Sequence, residues 1–79
     1  MITINEAAQA LTEAGFKVQI IDNKPEGFVE LVAHKDGFRE SFLDADFTGK
    51  PYYLGFFQNK DSLVAYTEKV IALYKKQFS

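Results

Sequence analysis

The sequence predicts an α+β fold: a two-layer sandwich in the order α-β-β-β(-β)-α, with two helices packed mainly on one face of an antiparallel sheet. Three observations carry this expectation. Apolar residues recur at helical spacing near both ends of the chain, from Ile4 to Ala14 and from Leu63 to Phe78. Between them, apolar and polar residues alternate in short runs, as in Phe16–Ile21. Asp36-Gly37 separates two such runs with a strong two-residue hairpin signal. A length of 79 residues suits one compact domain, 1–79.

The first helix has its own start signal. In Thr3-Ile4-Asn5-Glu6 the threonine side chain can accept from the Glu6 amide while Glu6 reaches back to the Thr3 amide, a capping box. Ile4, Ala7, Ala8, Leu11 and Ala14 form the apolar stripe, and Gly15 can end the helix in a left-handed conformation. Phe16, Val18 and Ile20 alternate with Lys17 and Gln19, which reads as a strand with one buried face. Asn23-Lys24-Pro25-Glu26-Gly27 supplies the turn into a strand over Phe28–His34.

With Asp36-Gly37 as the loop, the next strand covers Phe38–Leu43, and the register follows. Lys35 pairs with Phe38, Ala33 with Glu40, and Leu31 with Phe42. One face carries Val29, Leu31, Ala33, Phe38 and Phe42. The other is mixed: Phe28, Glu30, Val32, His34, Arg39, Ser41 and Leu43. A polar connection, Asp44–Pro51, leads to the aromatic run Tyr52-Tyr53-Leu54-Gly55-Phe56-Phe57, expected as the central strand of the core. Asn59 is the candidate cap of the last helix. Its buried stripe is Leu63, Val64, Thr67, Val70, Ile71, Tyr74 and Phe78, with Tyr66 and Leu73 flanking it as further packing or as contacts for a partner.

Composition narrows the function classes. The chain is 47% hydrophobic with eight Phe and four Tyr, enough for a small core and contrary to disorder. The absence of cysteine excludes disulfides and thiolate chemistry. No apolar run approaches the roughly 18 residues of a spanning helix, and no signal peptide is apparent, so a soluble cytoplasmic protein with no membrane partner is expected. Residues 1–49 carry four basic against nine acidic residues, and residues 50–79 carry five against two. Such an asymmetry can steer a partner.

No motif for chemistry is complete. Asp44-Ala45-Asp46-Phe47-Thr48-Gly49 opens like a calcium loop, but its twelfth position is Gly55 where a bidentate Glu is required. Thr48-Gly49-Lys50 lacks the order of a phosphate-binding loop. His34 is the sole histidine and has Arg39 as its expected cross-strand neighbour. Glu30 and Glu40 should point to opposite faces, which removes them as a carboxylate pair. No catalytic, cofactor or metal residue is therefore assigned, and the chain is expected not to be an enzyme. A small hydrolase or metal-binding protein would need a site assembled from distant residues.

Two resemblances bear on nucleic acid. The helix–three-strand–helix order resembles the double-stranded-RNA-binding fold, which implies a basic cluster at the start of the last helix. This chain has Asn59-Lys60-Asp61-Ser62 there. Tyr53–Phe57, followed by Lys60, Leu63, Ala65 and Tyr66, resembles the strand–helix junction of plant-type and integrase-arm DNA-binding domains, although the strands before it are acidic here. A nucleic-acid surface would draw on Lys60, Lys69, Lys75 and Lys76.

Protein binding fits the residues better. Tyr52, Tyr53 and Phe57 are the candidate aromatic contacts, and Glu30, Asp36, Glu40, Asp44 and Asp46 the candidate acidic surround. The expectation is a small accessory or inhibitor domain, including one from a mobile element, with another protein as partner. A homo-oligomer is the further alternative, favoured by any open strand edge.

Overall fold

The computed structural model describes residues 2–26, 28–44, 53–54 and 57–78. Its elements are β1 (Ile2–Thr3), α1 (Ile4–Glu13), β2 (Lys17–Asn23), a 3₁₀ turn (Lys24–Glu26), β3 (Phe28–Lys35), β4 (Phe38–Asp44), β5 (Tyr53–Leu54) and α2 (Lys60–Phe78). They form a two-layer α+β sandwich, with a three-stranded antiparallel sheet in the order β2-β3-β4 and two helices against it.

Local chemistry sets the boundaries. Thr3 Oγ1 accepts from the Glu6 amide at 3.0 Å, and the Thr3 amide donates to Glu6 Oε1 at 3.2 Å, completing the capping box. Hydrogen bonding of the Thr3 amide, and then of its hydroxyl, to the carboxylate holds Glu6 below its usual range. At the other end, Gly15 adopts φ 95°, its amide donates to Thr12 O at 3.1 Å, and the Phe16 amide donates to Leu11 O at 3.0 Å. This is a Schellman closure, and the buried Leu11 and Phe16 supply its apolar contact. Asp36 (φ 55°) and Gly37 (φ 85°) make the type I′ hairpin turn. The Ser62 amide donates to Asn59 Oδ1 at 2.8 Å, which caps α2 as the sequence predicts.

The β3–β4 register is the expected one, with Leu31 opposite Phe42, Ala33 opposite Glu40 and Lys35 opposite Phe38. Leu11 of α1, Leu31 of β3 and Leu63 of α2 are fully buried and join the two layers. Each such side chain contributes about 1.5–3 kcal/mol of burial. Thr67, also fully buried, donates its hydroxyl to Leu63 O at 2.8 Å, so its polar atom is satisfied within α2.

Three sequence expectations are corrected. The central strand of the three-stranded sheet is β3, and Tyr53–Leu54 of the aromatic run pairs with β1 instead, Ile2 opposite Leu54 and Thr3 opposite Tyr53. Aromatic alternation identifies a strand but not its neighbours. Ile20, expected in the core, is 44% exposed, on a strand that pairs on one side only among the described residues. Phe78 is 70% exposed; it stacks on Phe38, the first residue of β4, with ring centroids 6.5 Å apart, and thus sits at the rim of the sheet. In the other direction, Val32 is only 4% exposed although its register places it on the face away from Leu31. It occupies the middle of the middle strand, with Gln19 and Ser41 on either side.

Candidate binding surface

β4 and α2 build the most distinctive surface. The helix-side residues of β4, spaced two apart, meet residues of α2 spaced four and then eight apart in descending order, so the helix runs antiparallel to the strand. Phe38 meets Phe78, Glu40 meets Tyr74, and Phe42 meets Tyr66. Phe57, just before α2, completes a three-ring cluster. Its ring lies 5.7 Å from Phe42 and 5.5 Å from Tyr66, and the Phe42 and Tyr66 rings are 6.1 Å apart. All three contacts are edge-on or tilted, the orientations that aromatic quadrupoles favour. Phe42 forms the buried base, Phe57 is half-buried, and Tyr66 forms a rim that is 45% exposed.

Glu40 lies between two phenols. Tyr66 donates to one carboxylate oxygen and Tyr74 to the other, each at 3.4 Å. The negative charge of Glu40 raises the Tyr74 phenol above its ordinary value, with desolvation and the hydrogen bond adding to the effect. As an acceptor of two phenol hydrogen bonds, Glu40 ties the sheet to the helix. Beyond Tyr66, the same flank of α2 presents Leu73, 55% exposed, with Lys69 and Lys76 exposed beside it.

The residues proposed from sequence do not form one acidic surface. Glu30 accepts from Ser41 Oγ on the open face of the sheet, whereas Glu40 is on the helix side, as their register requires. Asp36, at the hairpin tip, is ion-paired with Lys75. One residue assigned to protein binding thus neutralises one assigned to nucleic acid. The hydrogen bond from Lys75, followed by its charge, holds the Asp36 carboxyl below the usual range. Tyr52 and Asp46 lie outside the described residues, as do Asp44-Ala45 onward to Pro51 apart from the backbone of Asp44, and the Gly55 and Phe56 portion of the aromatic run. The side chains of Tyr53 and Asp44 are likewise outside them, although their backbones are placed in β5 and β4.

The lysines also separate. Lys60 opens α2 and Lys75 sits near its end, fifteen residues on, about 22 Å along the axis. Lys69 and Lys76 are two turns apart on one side of the helix, about 10 Å. Two surface hollows border α2. One, of about 190 Å³, is lined by Phe16, Lys35, Glu68, Ile71, Ala72 and Lys75. The other, of about 430 Å³, lies by Glu6, Asn59 and Lys60. Neither lining brings a hydroxyl nucleophile beside a histidine. Among the described residues no three His, Asp or Glu side chains gather as a metal site requires, and no helix is long and apolar enough to cross a membrane.

Comparison of the chain with family models, curated proteins and solved structures matched none of them.

Proposed function

We propose that this chain is a small, non-enzymatic protein-binding domain of the accessory or inhibitor type, and that its contact surface is the outer flank of α2 rather than the Tyr52–Phe57 run alone. One observation carries the reading: Tyr66 and Leu73, two large apolar side chains seven residues apart on one helix, are 45% and 55% exposed. A helix with its own sheet to cover ordinarily turns polar residues to that side. Tyr66 is also held in place from behind by Phe42, Phe57 and Glu40, so little rotamer freedom is lost on contact. Lys69 and Lys76 border the strip, which suits a partner segment with acidic residues beside apolar ones.

The test is affinity capture from native extract with the wild-type chain and with Leu73→Glu, an exposed position whose substitution leaves the core intact. The expected result is a partner retained by the wild type and lost with Leu73→Glu, while both proteins unfold at the same temperature. Retention of the same proteins by both would remove α2 as the contact surface. Retention of nucleic acid by the wild type, abolished by salt and by Lys69→Ala with Lys76→Ala, would replace the reading with a nucleic-acid one.

A further inference from the structure

The outer flank of α2 repeats with the period of a helix. Tyr66 and Leu73 are seven residues apart, as are Lys69 and Lys76, and all four are exposed. Seven residues bring an α-helix back to within about 20° of its starting direction, about 10.5 Å further along the axis. Tyr66 and Leu73 therefore form one apolar strip along the axis, with the half-buried Val70 between them on the side of the buried stripe.

The charges of α2 are sorted around this strip. Lys69 and Lys76 lie about 40° and 60° around the axis from Leu73, whereas the acids Asp61 and Glu68 lie about 120° and 140° from it. Glu40, the acid that touches Tyr66 from β4, already accepts from two phenols. Lys76 has a further interaction within the chain, so the positive border of the strip rests chiefly on Lys69. A second copy of α2 does not fit here, because it would bring lysines and no acid against the same border.

Two arguments select the form of the occupant. The backbone groups of a helix interior are paired within the helix, so the side of α2 offers a partner no N–H or C=O to pair with. A helix lying there keeps its own backbone bonds, whereas an extended segment sheds water from groups that find no replacement. The spacing agrees. Residues on one side of a strand recur at about 6.7 Å and about 13 Å, and neither matches the roughly 10.5 Å between Tyr66 and Leu73, whereas residues seven apart in a helix do.

We infer that the strip holds an amphipathic helix of an acidic partner. That helix carries apolar residues seven apart, in register with Tyr66 and Leu73, and an Asp or Glu beside them within reach of Lys69. The inference rests on the proposal that the α2 flank is the contact surface, and adds the form and charge of what binds there. The two helices cross at about 20°, the angle at which seven-residue repeats stay in contact.

The test is selection from a library of random peptides of about 16 residues, about four helical turns, on the whole chain. Wild type, Leu73→Glu and Lys69→Glu are run in parallel. Both substitutions are at exposed positions, and equal unfolding temperatures check that the fold is kept. The expected peptides carry apolar residues three, four and seven apart with Asp or Glu next to them, and gain helical circular dichroism when bound. Leu73→Glu should weaken their binding about tenfold or more, and Lys69→Glu about threefold to tenfold. A proline in the middle of such a peptide should weaken it about a hundredfold. Peptides that depend on Leu73 but lack the seven-residue pattern, or bind without forming a helix, would overturn the helical partner and leave the α2 flank as contact surface. Basic or neutral helices unaffected by Lys69→Glu would overturn the acidic one. Equal binding to wild type and Leu73→Glu would remove the contact surface itself, and the inference with it. A library from which nothing is enriched would overturn the inference alone.

Discussion

Along β4 the helix-side residues Phe38, Glu40 and Phe42 meet Phe78, Tyr74 and Tyr66 of α2. Along β2, on the other side of β3, Ile20 points to the same side of the sheet and is 44% exposed. The strands are of equal length, seven residues each, and both place apolar residues on that face. What separates them is the length of the helix packed against each. A 19-residue α2, about 28 Å long, packs along β4, about 24 Å, whereas α1, which packs against β2, has 10 residues and is about 15 Å long. Sheet patterning decides which side a residue faces; the covering helix decides whether that side becomes core.

The sharpest way to break this comparison is to truncate one apolar residue on each edge. Phe42→Ala removes the base of the three-ring cluster and should destabilise by about 3–5 kcal/mol. Ile20→Ala, measured at low concentration, should stay within about 0.5 kcal/mol, the range of surface changes. Urea denaturation with a common slope reads both. Similar losses for the two would mean that Ile20 is as much a part of the core as Phe42.

Much of the fold was legible because it is encoded locally. Thr3 and Glu6 are three residues apart, Gly15 follows directly on α1, and Asp36-Gly37 fixes a register that carries Leu31 to Phe42 without further information. Helical spacing likewise singled out Tyr66 and Leu73 as flanking the buried stripe, which is where they lie. What was not legible depends on distance or extent. The Asp36–Lys75 ion pair joins residues 39 apart, and the Glu40–Tyr74 bond joins residues 34 apart. Period-two alternation gave Ile20 the correct face, and helical period gave Phe78 the correct side of α2. Neither period says where the opposing layer stops, so both residues were expected to be buried. The pairing of Tyr53–Leu54 with β1 was hidden for a related reason. A two-residue strand such as Ile2–Thr3 is too short to show alternation at all.

The junction between α1 and β2 gives a smaller effect. Gly15 holds φ 95°, and the nearest atom to a side chain built there would be Lys35 Nζ at 3.7 Å, an ordinary contact. The cost of Gly15→Ala therefore comes from the backbone and not from crowding, and should be about 1–2 kcal/mol. Urea denaturation of the wild type and Gly15→Ala reads that cost. An unchanged stability would mean that the α1 turn does not need the left-handed conformation at Gly15.

The smallest effect belongs to the hairpin tip, where β4 is clipped to α2. Asp36 and Lys75 are both substantially exposed, so Asp36→Asn should lower the unfolding temperature only slightly at neutral pH. Its signature is the pH dependence. Lys75 depresses the folded-state pKa of Asp36 below its unfolded value, so the folded protein binds this proton less readily than the unfolded chain. The stabilisation is therefore complete above the ordinary aspartate value, about 3.9, and fades as the pH falls through the lower folded value. Glu6 responds in the same direction, because Thr3 depresses its carboxyl too. The difference between wild type and Asp36→Asn removes that shared part and isolates the tip. Thermal unfolding of the two proteins should differ by a constant amount at mildly acidic pH and converge in strong acid. A wild type less stable than Asp36→Asn at neutral pH, with the gap closing as the pH falls, would mean that the charge of Asp36 opposes the fold.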